Sequence, residues 1–196
     1  GRPDVLGYSY TGHFDAETIP CNMRAWLEGY ANQVIYLREH PEVPASRRSM
    51  TEREEISPLL KCHFDQGKYY NEKCPIVDGD HAVTGCVATA MGQVMKYWDH
   101  PLQGTGSHTN YNSPAFGPLQ ADFGATTYDW GNMPNSLASN APQQQIDAVA
   151  TLLYHCGIAV DMNYAIDGSG AFSTDVPARI RQYFSYSDQA VYQQRD

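Results

Sequence analysis

A cysteine between a glycine and small residues, at the head of an apolar run, is a chemical signal. In GDHAVTGCVATAMGQVMKYW, residues 79–98, Cys86 stands where the pattern predicts the first turn of a helix. Val87, Ala90/Met91, Val94, Met95 and Trp98 recur at three- and four-residue steps, and Asp99-His100-Pro101 ends the run. The first N–H groups of a helix have no intrahelical partner, and the macrodipole there favours an anion. A thiolate is therefore expected to be stabilised at Cys86. Such a thiolate can attack a carbonyl carbon while its own N–H holds the resulting oxyanion. Gly85 would let the backbone come close on the substrate side, and the small Ala88 and Ala90 would let another layer pack. The competing reading of the same residues is a helical cysteine that only packs, which is the commoner fate of a buried thiol.

Thiolate chemistry of this kind needs an imidazole as its proton carrier. The chain has seven histidines: His13, His40, His63, His81, His100, His108 and His155. His81 lies on the approach to Cys86 and His155 on an apolar helical pattern. Both are expected to be structural. Cys62, His63, Cys74, His81 and Cys86 are ligand types that zinc accepts, but their spacing is irregular and holds no C-x-x-C pair. No metal and no cofactor is expected.

The elements that must hold Cys86 follow from periodicity. Met23, Trp26, Leu27, Tyr30, Val34 and Leu37 mark one face of a first helix, after strand-like residues 5–10 and a Thr11-Gly12 turn. Residues 38–55, REHPEVPASRRSMTEREE, are charged, carry two prolines and show no period, so they read as an exposed connector with a cleavable Arg47-Arg48 pair. Ile56 to Leu60 begins a new apolar segment. Residues 66–80 read as loop, 103–135 as irregular with short extended pieces, and Ile146 to Leu153 as an amphipathic helix stopped by Gly157. Asp167 to Ala171 reads as a flexible loop, and 174–183 as a last helix. The 196 residues carry a net charge of −9 with only 13 Lys and Arg, a poor composition for binding nucleic acid. No apolar run is long enough to span a membrane.

Residues 79–98 resemble the nucleophile segment of the streptopain family, the pyrogenic-exotoxin-B-like cysteine peptidases. The resemblance rests on His81-Ala82, on Thr84 to Ala90, and on Gln93 and Met95-Lys96-Tyr97. Tyr70-Asn71 with Cys74-Pro75, Tyr128-Asp129-Trp130, and Gly157 to Met162 followed by the loop 168–171 agree in order. Val5 to Ser9, with Gly12, Phe14 and Asp15, resembles the end of that family's inhibitory propeptide. The resemblance implies an α+β, papain-like fold, represented mainly by its helical, nucleophile-bearing half. It implies a propeptide end with connector over 1–50 and the N-terminal portion of the catalytic domain over 51–196. It implies Cys86 as nucleophile, Gln66 as the oxyanion-hole amide, and Gly170 with Ser169 at the substrate backbone. Phe64-Asp65-Gln66 departs from the family's aromatic-Asn-Gln triplet by its Asp. The resemblance further implies a secreted bacterial zymogen acting on proteins or peptides, with the catalytic histidine downstream on the C-terminal half of the same precursor. The rival reading is a non-enzymatic, peptidase-derived module serving in adhesion or inhibition.

Overall fold

A computed structural model describes residues 21–41 and 57–194. The expected strand at 5–10, the propeptide-like residues 5–15 and most of the 38–55 connector, including Arg47-Arg48, lie outside the described residues. The chain divides into two compact units, Gly1–Glu55 and Ile56–Asp196. In the first, α1 spans Cys21–Glu39. Its predicted apolar residues Trp26, Tyr30, Val34 and Leu37 are all exposed, with the Trp26 and Tyr30 rings in edge contact at 4.8 Å.

The second unit is built on two helices, α2 (Cys86–Trp98) and α3 (Gln143–Ala159), which pack on each other. The approach is close because Gly92 of α2 has no side chain. A Cβ there would meet Leu153 Cδ2 at 2.5 Å. The buried face of α2 is Ala88, Thr89, Met91, Gly92 and Met95. Each large apolar side chain so buried contributes about 1.5–3 kcal/mol. Helix α3 is buried along most of its length, and Val149, Leu152, Leu153 and Ile158 are wholly enclosed. It does not stop at Gly157 as its sequence suggested. The helix runs on to Ala159, and Gly157 instead makes room for the Tyr164 side chain, which a Cβ would strike.

Against α3 lies an antiparallel hairpin of β3 (Ser107–Asn110) and β4 (Leu119–Asp122), with Ser107 opposite Asp122 and Asn110 opposite Leu119. Phe123 follows β4 into the core and stacks on Tyr183 of the last helix, α4 (Val176–Phe184), at 4.5 Å between centroids. A two-residue ladder pairs β1 (Ile76–Val77) with β2 (Asp80–His81) within the expected 66–80 loop. Leu59 and Leu60, of the apolar segment read at 56–60, are exposed.

Candidate active site

Helix α2 begins at Cys86, as the spacing predicted, and the thiol is exposed. No side chain caps this end of the helix, so its first N–H groups remain free to meet a ligand. The backbone leading to it is held at every residue. Asn71 Nδ2 donates to the carbonyls of His81 (3.3 Å) and Ala82 (3.2 Å). Val83 N–H donates to Ala165 O at 3.1 Å, and Thr84 N–H to Gln66 O at 3.1 Å. Thr84 Oγ1 lies 2.9 Å from Thr89 Oγ1, which donates a hydrogen bond to Gly85 O at 3.0 Å. Thr84 is fully buried, so these hydroxyls satisfy one another away from water.

Gly85 has φ +84° and ψ 143°, a region that only glycine occupies comfortably. Within the protein, the close neighbours this conformation permits are Met162 and Ser169. A Cβ would stand 2.7 Å from Met162 Sδ and Cε and 3.2 Å from Ser169 O. Ala90 corrects its expectation. Only Ala88 is enclosed, while Ala90 is exposed with Val94 and Trp98, so the apolar stripe of α2 is split between core and surface. A groove of about 340 Å³ starts at Cys86 and runs along Val87, Ala90 and Val94, closed on its far side by Val176 and Ile180 of α4.

Gln66 is brought to the nucleophile segment by its carbonyl bond to Thr84. Farther back, Phe64 N–H donates to Gln93 Oε1 (3.3 Å) on α2, tying the segment that carries Gln66 to the helix that carries Cys86. The Gln66 side-chain amide has no partner among the described residues, so it is free to donate. Asp65 explains itself here. Its Oδ1 accepts from the backbone N–H of Gln66 at 2.5 Å and of Gly67 at 3.2 Å, an Asx turn that needs only an acceptor oxygen. Asp serves that purpose as Asn would.

The loop 167–171 is less loose than its composition suggested. Gly170 pairs with Asn163 through both its N–H (3.0 Å) and its carbonyl (2.9 Å). Ser169 turns its hydroxyl into the protein, donating to Val83 O at 2.6 Å and accepting from Ala165 N–H at 3.0 Å. Gly170 is exposed, and Ala171 N–H has no partner among the described residues.

No imidazole among the described residues is hydrogen-bonded to Cys86. His81 Nδ1 donates to Cys74 O at 2.9 Å. His155 is buried against Phe123 and bonded to Tyr128 Oη at 3.0 Å, and burial pushes its pKa down to about 4. His108 is held by Asp161 at 2.7 Å. The other described thiols are buried. Burial pushes Cys74 up to about 12 and raises Cys62 and Cys156 as well. Sequence reasoning missed Met162, Gln93, Asn110 and Ser113 as supports. Gln93 stood in the quoted motif, but its partner Phe64 is far off in the chain.

The profile of the Peptidase C10 family matches residues 64–196. The chain is 32% identical, over 97% of its length, to the thiol protease/hemagglutinin PrtT of Porphyromonas gingivalis, of which it covers 24%. It is 31% identical over 97% of its length to streptopain of Streptococcus pyogenes, of which it covers 52%. It therefore spans about half of one curated relative and a quarter of the other. Among solved structures it is similar to active wild-type interpain A cysteine protease of Prevotella intermedia, with TM-score 0.63 and 40% identity over 68% of this chain and 61% of that one. A prointerpain A fragment of the same organism gives TM-score 0.62 and 42% identity over 66% of this chain and 43% of that one. The helix pair, the hairpin and the exposed cysteine at the head of α2 are thus part of a papain-like α+β fold, and the chain belongs to the Peptidase C10 family.

Proposed function

We propose that this chain is the nucleophile-bearing part of a secreted bacterial cysteine endopeptidase, made as a zymogen. The observation that carries the reading is an exposed Cys86 at an uncapped helix start, with Gln66 held through its backbone carbonyl to Thr84 and an apolar groove running from Cys86. In this reading Cys86 Sγ attacks the scissile carbonyl carbon. The oxyanion takes hydrogen bonds from Cys86 N–H and Gln66 Nε2. The tetrahedral intermediate collapses, the C–N bond breaks, and an imidazolium gives its proton to the departing amine. Water then attacks the thioester, the imidazole takes its proton, and the acid and the free thiolate are released. The substrate backbone runs past Gly170. Because Asn163 already takes both polar groups of Gly170, Ala171 N–H is the donor left on that edge. Residues 1–50 act as propeptide end and connector. In this reading the imidazole comes from a further segment of the precursor, which fits the lack of any hydrogen bond between Cys86 and a histidine among the described residues.

The test is activity with and without that segment. Residues 1–196 alone should not hydrolyse casein or a peptide amide, since losing one member of such a unit costs roughly 10⁴–10⁶ in kcat. Co-folding with the downstream half should restore turnover, and Cys86→Ala should abolish it. Turnover by the isolated chain at an ordinary peptidase rate would make His81 or His155 the base and overturn the split site. That no imidazole among the described residues is bonded to Cys86 also fits the second reading, a non-enzymatic adhesin- or inhibitor-like module. A restored complex that ignores an electrophilic peptide probe would support it.

A further inference from the structure

The clasp made by Ser169 is not used by the chemistry just described. Val83, three residues before Cys86, is held at both of its polar groups by one turn. Its N–H goes to Ala165 O (3.1 Å) and its carbonyl receives the Ser169 hydroxyl (2.6 Å). The same hydroxyl accepts Ala165 N–H, so one oxygen closes the turn and binds it to the nucleophile segment. The base of this loop is itself rigidly set. Met162 O accepts from Asn110 Nδ2 and from Ser113 Oγ, both at 2.8 Å, and Ser113 Oγ accepts Tyr164 N–H at 2.9 Å. Asn110 and Ser113 are fully buried. Among the described residues, the Ser169 hydroxyl makes the one side-chain hydrogen bond from residues 161–171 to residues 83–86.

We propose that Ser169 is a positioning residue. Its hydroxyl, through the Val83 carbonyl, couples the Gly170 edge to the backbone that aims the Cys86 N–H. The inference rests on the peptidase reading above. One hydrogen bond fixes a distance, and two fix an orientation. Without the hydroxyl, the Val83–Thr84 peptide keeps only the Thr84 N–H bond to Gln66 O, so its plane can tilt within the limits set by Thr84 and Thr89, and a small part of that tilt reaches the Cys86 N–H. An oxyanion donor must meet its acceptor at about 2.7–3.1 Å, so small rotations matter. The oxyanion exists only after attack, so the loss falls on kcat and not on ground-state binding.

The experiment uses the active polypeptide that includes the histidine-bearing segment, with a peptide amide substrate and with iodoacetamide. Ser169→Ala is expected to lower kcat about tenfold with KM changed less than about twofold. Alkylation of Cys86 by iodoacetamide forms no oxyanion and should stay within about twofold of the parent. Ser169→Thr, which keeps the hydroxyl, should recover most of kcat, whereas Ser169→Cys should follow Ala. Parental kcat in Ser169→Ala, a raised KM at unchanged kcat, or a Thr variant as slow as Ala would each overturn the proposal. If Ser169→Ala does not fold, the Thr and Cys variants carry the test, and equal kcat in those two overturns it. Cys86→Ala is the separate control. If it remains active, the peptidase reading itself fails, whatever the Ser169 variants do.

Discussion

Gly85→Ala is the most demanding test of how Cys86 is held, because two independent penalties meet at one atom. The first is conformational. At φ +84° and ψ 143° a Cβ puts the residue in a region that costs about 1–3 kcal/mol. The second is steric. The new methyl would sit 2.7 Å from Met162 Sδ and Cε, and Met162 is fully buried and cannot swing into solvent. Overpacking of that kind costs about 1–3 kcal/mol. Together they predict a loss of about 2–6 kcal/mol, read from urea unfolding followed by tryptophan fluorescence. A double-mutant cycle separates the two. Met162→Ala alone leaves a cavity and should cost about 2–5 kcal/mol. Combined with Gly85→Ala it removes the clash but not the strain, so the pair should cost less than the sum by about 1–3 kcal/mol. In the active polypeptide the displaced Cys86 N–H should lower kcat roughly 10²-fold. A Gly85→Ala protein within about 0.5 kcal/mol of the parent, or strict additivity with Met162→Ala, would refute the reasoning.

Three further outcomes are expected. Iodoacetamide at neutral pH should label native Cys86 well ahead of Cys62, Cys74 and Cys156, which are buried with raised pKa values, and peptide mapping would read it; comparable labelling of Cys74 would contradict the geometry. His155 is held neutral by burial, with its pKa lowered from 6.5 to about 4. The stability it contributes is therefore fully present above pH 6.5 and is lost as pH falls through 4, because the unfolded chain takes up the proton first. The change is about 3 kcal/mol, and His155→Gln should flatten that part of the stability–pH curve. Limited digestion with a protease of broad specificity should cut first between Arg47 and Ile56, close to the division between the two units at Glu55, and a first cut within 103–120 would move that boundary.

Legibility in the sequence followed the range of the interactions. The start of α2 at Cys86 and its end at Trp98 could be read locally, because helix periodicity and the Asp99-His100-Pro101 stop act within a few residues. The burial of α3 could be read the same way, but its end could not. Gly157 looks like a stop in one dimension and is a contact point for Tyr164 in three. The function of Asp65 was obscured by comparison with a motif and became plain only from the two N–H groups it accepts.

What the sequence alone determined, then, is which residues are candidates for the chemistry, a cysteine at a helix start and a glutamine in the loop before it, together with helix boundaries set by neighbours. Tertiary structure decided everything that depends on residues distant in the chain. It split the apolar stripe of α2, burying Met91 and Met95 against α3 and leaving Val94 and Trp98 on the surface. It gave Gly85 a neighbour in Met162, 77 positions later, and turned the Ser169 hydroxyl onto Val83, 86 positions earlier. The physical reason is the same in each case. Periodicity reports that a side chain is apolar or a backbone permissive, but the partner that uses that property is chosen by packing and by the need to satisfy buried polar groups, and neither leaves a local trace.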